Sequence, residues 1–240
     1  MFSNGFAVQE AMLGIPENAL HCSTNLSYFT MCKQTGFFQF YSCFFLVFFV
    51  LFGNQVCAQS PKDSLKVAYF ASGCFWCVET IFESVDGVEE AVSGYSGGQE
   101  ENPSYESTSS GVSGHAETVA VYYNPSKISY QNLLTIYFGS QNPTTYGQFP
   151  DFGSAYRSVV FHQNKQEKKA IDSLHSILNR KIYGGRMQTE ILPFEKFYKA
   201  EEEHQDFEKN NPNNPYIQKV SIPRLERFKK LFFKTADEEH

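Results

Sequence analysis

Cysteine is scarce in the part of the sequence that can form a folded domain. Four of the six cysteines occur at or before Cys57, and only Cys74 and Cys77 follow it. A single closely spaced pair closes too short a loop to stabilise a domain, which excludes a disulfide scaffold. Two cysteines also supply only half of the ligands that a structural zinc site needs. The pair is therefore predicted to serve redox or nucleophilic chemistry.

Basic residues are also fewer than acidic ones. The chain of 240 residues carries 20 Lys and Arg against 26 Asp and Glu, a formal net charge of −6 at pH 7. No basic surface is predicted, and we expect no nucleic-acid partner. Hydrophobic residues make up 42% of the sequence, which is enough to bury a sizeable core. One domain with an N-terminal appendage is the expected organisation, and we expect a monomer.

Charge is missing altogether between Lys33 and Lys62, where residues 37–52 are almost entirely aromatic and aliphatic. A basic residue, an apolar run and then a small residue at Ala58 predict a secretory signal peptide that is cleaved near Ala58. The run is also long enough to be an uncleaved membrane anchor, which remains the alternative.

The predicted cleavage divides the chain into two parts. Residues 1–58 would be an N-terminal extension plus the signal peptide or anchor, with translation starting at either Met1 or Met31. Residues 59–240 would form the domain, periplasmic or secreted after cleavage, or held at the membrane by residues 37–52.

The most informative stretch is Gly73-Cys74-Phe75-Trp76-Cys77-Val78-Glu79. Residues 66–70 read as a buried strand before it, and apolar residues recur at helical spacing behind it. Cys74 is therefore predicted to lie where the strand turns into a helix, with Gly73 allowing a tight turn and Ser72 as a cap. Free N–H groups and the helix dipole favour a thiolate at that position.

The neighbours of Cys74 support this interpretation. Phe75 and Trp76, the single tryptophan, place aromatic faces beside the sulfur, and Cys77 lies one helical turn on, close enough for a disulfide. The alternative is a buried cysteine pair among core aromatics. It is disfavoured because a buried thiol needs neither a glycine turn nor a helix N-terminus.

The predicted elements between residues 66 and 162 follow the order β-α-β-β-α-β. This is the order of a split βαβ, ferredoxin-like core, so we predict the α+β class and a two-layer sandwich. Two polar loops, residues 107–114 and 141–151, interrupt the core, and loops of this length are commonly functional. Further on, residues 201–209 are predicted to form one helix.

Glu117 lies on a predicted strand, on the same face as Val119, Val121 and Tyr123. In such apolar surroundings desolvation raises the pKa of a carboxyl, which suits a general acid. The alternative is a solvent-exposed acid on an edge strand.

Three further polar side chains lie in or beside the two long loops. Tyr105 and Tyr156 each offer a phenol hydroxyl, and Asp151 comes shortly before Tyr156. Among 14 tyrosines, any single one is more commonly a core residue. Their joint placement near strand ends, with a thiol and an acid, makes these three residues candidates for the site.

A set of short motifs resembles the type A family of peptide methionine sulfoxide reductases. The motifs are Gly73-Cys74-Phe75-Trp76, Gly94-Tyr95-Ser96-Gly97-Gly98, Asn102-Pro103-Ser104-Tyr105, Gly114-His115-Ala116-Glu117, GSAYRS at residues 153–158 and AEEEHQ at residues 200–205. They follow the family's order over residues 66–207. The resemblance implies reduction of the S epimer of methionine sulfoxide, free or in proteins, without a metal or organic cofactor.

The resemblance also implies a role for each matching residue. Cys74 would attack the sulfoxide sulfur and become a sulfenic acid. Phe75 and Trp76 would form the pocket for the substrate's methyl group, which agrees with the good packing of a thioether on an indole.

Three matching residues would act on the sulfoxide oxygen, and a fourth would support them. Glu117 would protonate it, Tyr105 and Tyr156 would hydrogen-bond it, and Asp151 would support this polar network. These implied roles agree with the chemistry, because a sulfoxide is a poor electrophile until its oxygen is protonated.

The sequence departs from the family in its recycling cysteines. Ser109 replaces the family's cysteine four residues after the pocket tyrosine, and no cysteine follows Cys77. Cys77 is then the only candidate to resolve the sulfenic acid, and thioredoxin or a thioredoxin-like donor would reopen the disulfide. The second loop also differs, with Gln141-Asn142-Pro143 for His-Asp-Pro and Phe149-Pro150-Asp151 for Gly-Asn-Asp.

Two other functions remain open at this point. A general C-x-x-C thiol–disulfide oxidoreductase would need neither Glu117 nor the pocket of Phe75 and Trp76. An exported module that binds methionine side chains would not need the thiols.

Overall fold

The computed structural model describes residues 65–232. The predicted leader with its cleavage site, residues 1–58, lies outside the described residues, and so does its apolar run, residues 37–52. Within the described range, no helix combines the length and the hydrophobicity needed to cross a lipid bilayer.

In this part of the chain, six strands form one sheet in the order β7-β6-β1-β3-β2-β8, beside a separate two-stranded hairpin. The sheet strands are β1 (Lys66–Ala71), β2 (Val88–Ser96), β3 (Ala116–Tyr123), β6 (Val159–His162), β7 (Glu190–Pro193) and β8 (Phe197–Lys199), and the hairpin strands are β4 (Gly147–Gln148) and β5 (Asp151–Phe152). The four central strands, β6-β1-β3-β2, pair antiparallel throughout, as in a ferredoxin-like core. The predicted fold class is confirmed.

Helices connect the strands and pack on the sheet. They are α1 (Phe75–Glu83), α2 (Tyr105–Ser109), α3 (Tyr130–Gly139), α4 (Lys165–Lys181), α5 (Phe207–Asn210) and α6 (Ile222–Phe232). Shorter helical turns cover Ser154–Tyr156, Glu202–His204 and Ile217–Ser221. Helix α3 begins after Ser129, whose hydroxyl accepts a hydrogen bond from the Asn132 N–H.

The larger core lies between the sheet and helices α1, α3, α4 and α6. The Phe70 ring on β1 stacks against Phe82 of α1 and Tyr137 of α3, with centroid distances of 5.1 Å in both cases. On the opposite face a smaller cluster forms, in which Phe194 stacks on Tyr69 at 3.8 Å. Helices that bury one apolar face of a sheet produce the predicted two-layer sandwich.

The prediction of one helix over residues 201–209 is wrong. The chain forms the turn Glu202–His204 and then the separate helix α5, because Asp206 adopts a left-handed conformation (φ 50°) that interrupts helical geometry. The two long loops also contain more regular structure than predicted, since α2 extends into the first and the β4–β5 hairpin occupies part of the second.

Candidate active site

Cys74 ends the turn between β1 and α1 and occupies the N-cap position of the helix. Gly73 has a φ of 77°, and its N–H donates a hydrogen bond of 3.0 Å to the Tyr156 carbonyl. A Cβ at this position would lie 2.9 Å from the side chain of Gln148. Glycine is therefore required for the turn that presents the thiol.

The prediction that Ser72 caps α1 is wrong. The cap position belongs to Cys74, which makes no side-chain capping hydrogen bond. The Ser72 carbonyl and hydroxyl instead accept hydrogen bonds from the guanidinium of Arg224, at 3.0 and 3.2 Å. Arg224 thus connects the turn that carries Cys74 to helix α6.

Glu117 lies on the central strand β3 and is 2% exposed, so the edge-strand alternative is wrong. Its Oε2 accepts a hydrogen bond of 2.9 Å from the N–H of Phe75, the residue after Cys74. Burial raises the pKa of this carboxyl to about 8, against the opposing effect of that hydrogen bond. The carboxyl is therefore largely neutral at pH 7, which a general acid requires.

Cys74 and Cys77 are both free and both buried. Burial raises the pKa of the Cys74 thiol, and its interaction with Cys77 acts in the same direction. The hydrogen bond from Cys74 lowers the pKa of Cys77 to about 6, and the positive charge of Arg224 contributes to this. The thiolate of the pair is thus favoured on Cys77, whereas the sequence predicts it on Cys74. Burial of the first sulfur acts against the effect of the helix end.

Phe75 and Trp76 lie side by side, with ring centroids 6.2 Å apart. Phe75 is fully buried, whereas Trp76 is partly exposed. The indole stacks on Phe207 at 3.8 Å with an interplanar angle of 8°, and the Tyr105 ring lies 6.2 Å from Phe75. These rings form an aromatic wall beside Cys74, as the sequence predicts.

Glu79 positions the ring that stacks on Trp76. One carboxylate oxygen accepts a hydrogen bond of 2.7 Å from the Asp206 N–H, and the other accepts one from the Ser93 hydroxyl. Because Phe207 follows Asp206, this contact fixes the start of α5 against α1. Burial raises the pKa of Glu79 to about 7.

Glu79, Glu83 and Asp206 bring carboxylate oxygens within 4.8 Å of one another, the spacing of a metal site. The Lys209 amino group already forms ion pairs with Glu83 at 2.9 Å and with Asp206 at 2.6 Å. Lys209 thus pairs with two of these acids, while Glu79 accepts its hydrogen bonds from Asp206 and Ser93, and we interpret the cluster as structural.

Tyr105 and Tyr156 are both partly buried. Burial raises the pKa of Tyr105 to about 12, and the negative charges that Glu117 and Cys74 carry at such a high pH add to the shift. Burial also raises the pKa of Tyr156, followed by the effects of Glu117 and Tyr105. The two phenols, the acid and the thiol therefore lie around one centre, and both phenols remain hydrogen-bond donors at neutral pH.

Asp151 joins the site through Tyr216, a residue that the sequence analysis missed. The Tyr216 hydroxyl donates a hydrogen bond to Asp151 and lies 3.9 Å from the Cys77 sulfur. Burial raises the pKa of Asp151, while the bond from Tyr216 opposes this. No local pattern around Tyr216 marks it as part of the site.

Arg224 is the second residue that the sequence analysis missed. It is 8% exposed, and besides Ser72 it donates to the Ser140 carbonyl at 3.2 Å. All of these acceptors are neutral groups. Arg224 could have been found from the sequence, because it shares the buried face of α6 with Phe228.

The site residues predicted from the sequence all come together at the junction of α1, β3 and the loops. An acid held neutral beside a buried pair of thiols can protonate a substrate while a sulfur attacks it. Fold and site therefore define a thiol-dependent oxidoreductase.

Comparisons with known proteins make this class more specific. The family model described as peptide methionine sulfoxide reductase matches residues 66–236. The peptide methionine sulfoxide reductase MsrA of Sulfolobus acidocaldarius is 41% identical over 169 residues, which cover 70% of this chain and 96% of that protein. The chain therefore belongs to the peptide methionine sulfoxide reductase family, and the resemblance is confirmed.

Solved structures show the same fold. Mxr1 from Saccharomyces cerevisiae in reduced form aligns with a TM-score of 0.59 at 31% identity, covering 63% of this chain and 88% of that chain. Methionine sulfoxide reductase A of Corynebacterium diphtheriae aligns with a TM-score of 0.60 at 29% identity, covering 63% and 77%.

Proposed function

We propose that this protein reduces methionine S-sulfoxide, free and in proteins, to methionine. The observation that carries the proposal is the hydrogen bond of 2.9 Å from the Phe75 N–H to Glu117, which holds a neutral carboxylic acid beside Cys74. A sulfoxide becomes a good electrophile when its oxygen is protonated, so an acid fixed next to a thiol supplies both required groups.

In the first step the Cys74 sulfur attacks the sulfoxide sulfur while Glu117 protonates the sulfoxide oxygen. The Cys74 proton passes to the Cys77 thiolate, its hydrogen-bond partner. The hydroxyl then moves from the methionine sulfur to the Cys74 sulfur as the bond between the two sulfurs breaks. Methionine leaves, Cys74 becomes a sulfenic acid, and Glu117 regains a proton from solvent. One thiol and one sulfoxide thus give one sulfenic acid and one methionine, because the sulfur of Cys74 supplies the two electrons.

Cys77 then resolves the intermediate. Its sulfur attacks the sulfenic acid of Cys74, water leaves, and a disulfide forms between the two residues. Thioredoxin or a thioredoxin-like dithiol reopens this disulfide by exchange and is itself oxidised. Within residues 65–232 the cysteines are these two, which favours Cys77 as the resolving residue.

The surrounding side chains orient the substrate. Phe75 and Trp76 hold its methyl group, since sulfur-bound methyl groups pack well on aromatic faces. Tyr105 and Tyr156 donate hydrogen bonds to the sulfoxide oxygen, and Asp151 supports them from the edge of the site.

The test is turnover of the separated S and R epimers of methionine sulfoxide with dithiothreitol as reductant. We expect reduction of the S epimer alone by the wild type and none by Cys74→Ser. Reduction of protein disulfides without sulfoxide turnover would instead identify a general thiol–disulfide oxidoreductase. Binding of methionine without any turnover would identify a binding module.

Export is part of the proposal and rests on the sequence of residues 1–58. N-terminal sequencing of protein from its native host tests it. A mature start near Gln59 outside the cytoplasm supports cleavage, and a start upstream of Phe37 in membrane fractions supports the anchor instead.

A further inference from the structure

A cavity of about 720 Å³ opens between the loop after α3, the β4–β5 hairpin and helix α6. Arg224, Arg227 and Lys230 line it from α6, Arg186 lines it from the turn after α4, and Phe149 lines it from the hairpin. We call it the basic cavity. Phe149 is 82% exposed at the hairpin tip, so an apolar ring stands at the cavity's edge.

The positive charges of this cavity have no acidic partner in its lining, although Arg224 also acts on Cys77 and Asp151 behind it. Four of its lining side chains are cationic and none is acidic. The ion pairs found among residues 65–232 involve none of these four cations. The chain as a whole has a net charge of −6, so the charge of this cavity has the opposite sign to the net charge of the chain. A concave surface of one sign concentrates ligands of the other, which points to an anionic ligand.

The basic cavity adjoins the nucleophile turn. Its lining residue Gln148 packs so closely on Gly73 that a Cβ there would lie 2.9 Å away, and Cys74 is the next residue. Its lining residue Arg224 donates a hydrogen bond of 3.0 Å to the Ser72 carbonyl. An extended peptide spans about 3.3–3.6 Å per residue, so positions a few residues from a bound methionine sulfoxide reach the cavity.

The size of the cavity limits what fits inside. Pockets for small ligands have volumes of about 300–1,000 Å³, and the basic cavity lies in this range. It therefore suits one or two side chains of a peptide better than the surface of a folded partner.

We propose that the basic cavity binds acidic side chains that flank the oxidised methionine in a protein substrate. Arg186 and Arg227 present planar guanidinium groups that bind a carboxylate through paired N–H donors, and Lys230 adds a positive charge. Phe149 packs against the apolar part of the bound peptide. The inference rests on the proposed reductase function and adds a preference among substrates to it.

The test compares peptides with glutamate or glutamine on either side of one methionine sulfoxide, with dithiothreitol as reductant. We expect the wild type to reduce the glutamate peptide with a kcat/KM roughly fivefold higher, as three partly solvated charge pairs allow. The difference should lie in KM and should shrink at high salt. The triple variant Arg186→Gln, Arg227→Gln and Lys230→Gln should lose the preference and keep wild-type activity on free methionine sulfoxide.

The matched control removes three positive charges outside the cavity, by Lys165→Gln, Lys169→Gln and Lys229→Gln. These lysines are exposed and do not line the cavity, and Lys229 is the direct neighbour of Lys230 on α6. The control should keep the preference for the acidic peptide. Equal loss in both triple variants would show a general effect of net charge and would overturn the proposal.

Two other results also overturn it. If the cavity variant keeps the preference for the glutamate peptide, the cavity does not bind the acidic flanks of the substrate. The same conclusion follows if the variant loses only thioredoxin-supported turnover. Fluorescence anisotropy of labelled methionine peptides with the same flanks gives a second readout that needs no turnover. Equal affinities for the two peptides refute the proposal, whereas absence of sulfoxide turnover with unequal affinities refutes the reductase function alone.

Discussion

The Phe75 N–H donates a hydrogen bond of 2.9 Å to Glu117, so the acid is fixed by the residue next to the nucleophile. Glu117 comes from β3, and Cys74 stands at the start of α1, which packs on that sheet. A movement of α1 away from the sheet would break this bond and separate thiol from acid at the same time. The chemistry of the site therefore depends on core packing and not on either segment alone.

Replacing Glu117 with Gln is expected to slow sulfoxide reduction by about 10²–10⁴-fold, the range that general acids contribute. Because the pKa of this carboxyl is raised to about 8, wild-type activity should fall as the pH rises through about 8 and the proton is lost. A pH profile of kcat/KM checks this, because the wild-type profile should show this decrease and the profile of the Glu117→Gln variant should not. Glu79→Gln is the control and should retain it, although the pKa of Glu79 is also raised, to about 7.

The same carboxyl links folding stability to pH. Its folded pKa, about 8, lies above its ordinary value of 4.5, so the folded state holds the proton more tightly. The stabilisation is complete below about pH 4.5 and is lost as the pH rises through about 8. Urea unfolding midpoints should therefore fall more steeply across this window in the wild type than in Glu117→Gln. Parallel curves would contradict the raised pKa.

Phe207→Ala should weaken substrate binding by loosening Trp76, which loses its stacking partner at 3.8 Å. An aromatic pair is worth about 0.5–1.5 kcal/mol beyond burial, so KM should rise by about 2–12-fold with kcat nearly unchanged. Phe207→Tyr keeps the ring and should behave as the wild type. A normal KM in the alanine variant would show that Trp76 is held without the stack.

Local sequence patterns account for the parts of the site that could be predicted. The glycine turn places Cys74, and strand alternation places Glu117 in the core, because both depend on neighbours in the chain. The contact of Tyr216 with Cys77 joins residues 139 positions apart, and the bond of Arg224 to Ser72 joins residues 152 positions apart. Such contacts depend on where the C-terminal helix packs, which no local periodicity specifies.

Arg224 is expected to act as a positioning residue that favours the Cys77 thiolate. Its positive charge lowers the pKa of Cys77, after the larger effect of the hydrogen bond from Cys74. Arg224→Met should therefore raise the apparent pKa for alkylation of Cys77, followed by peptide mass spectrometry across a pH series. Arg224→Lys keeps the charge and should stay closer to the wild type. If the two variants show the same pKa at Cys77 while both remain folded by circular dichroism, the charge has no part in it.

Cys77→Ser tests how the enzyme recycles. The variant keeps Cys74 and Glu117, so one equivalent of methionine per enzyme should still be released in the absence of a reductant, although more slowly, because the Cys77 thiolate no longer takes the Cys74 proton. With thioredoxin it should then stall, because no second thiol is placed to form the disulfide that thioredoxin opens. A small thiol that attacks the sulfenic acid directly should restore turnover.

Mass spectrometry after one turnover distinguishes the two outcomes for Cys77. The wild type should contain a disulfide between Cys74 and Cys77, and the variant a sulfenic acid or its trapped adduct on Cys74. Arg224 and the Tyr216 hydroxyl also lower the pKa of Cys77, and because these effects do not depend on the Cys74 thiol, they favour Cys77 as the nucleophile of that step. Normal thioredoxin-dependent turnover of Cys77→Ser would instead mean that the donor attacks Cys74 itself and that Cys77 serves only the packing of α1.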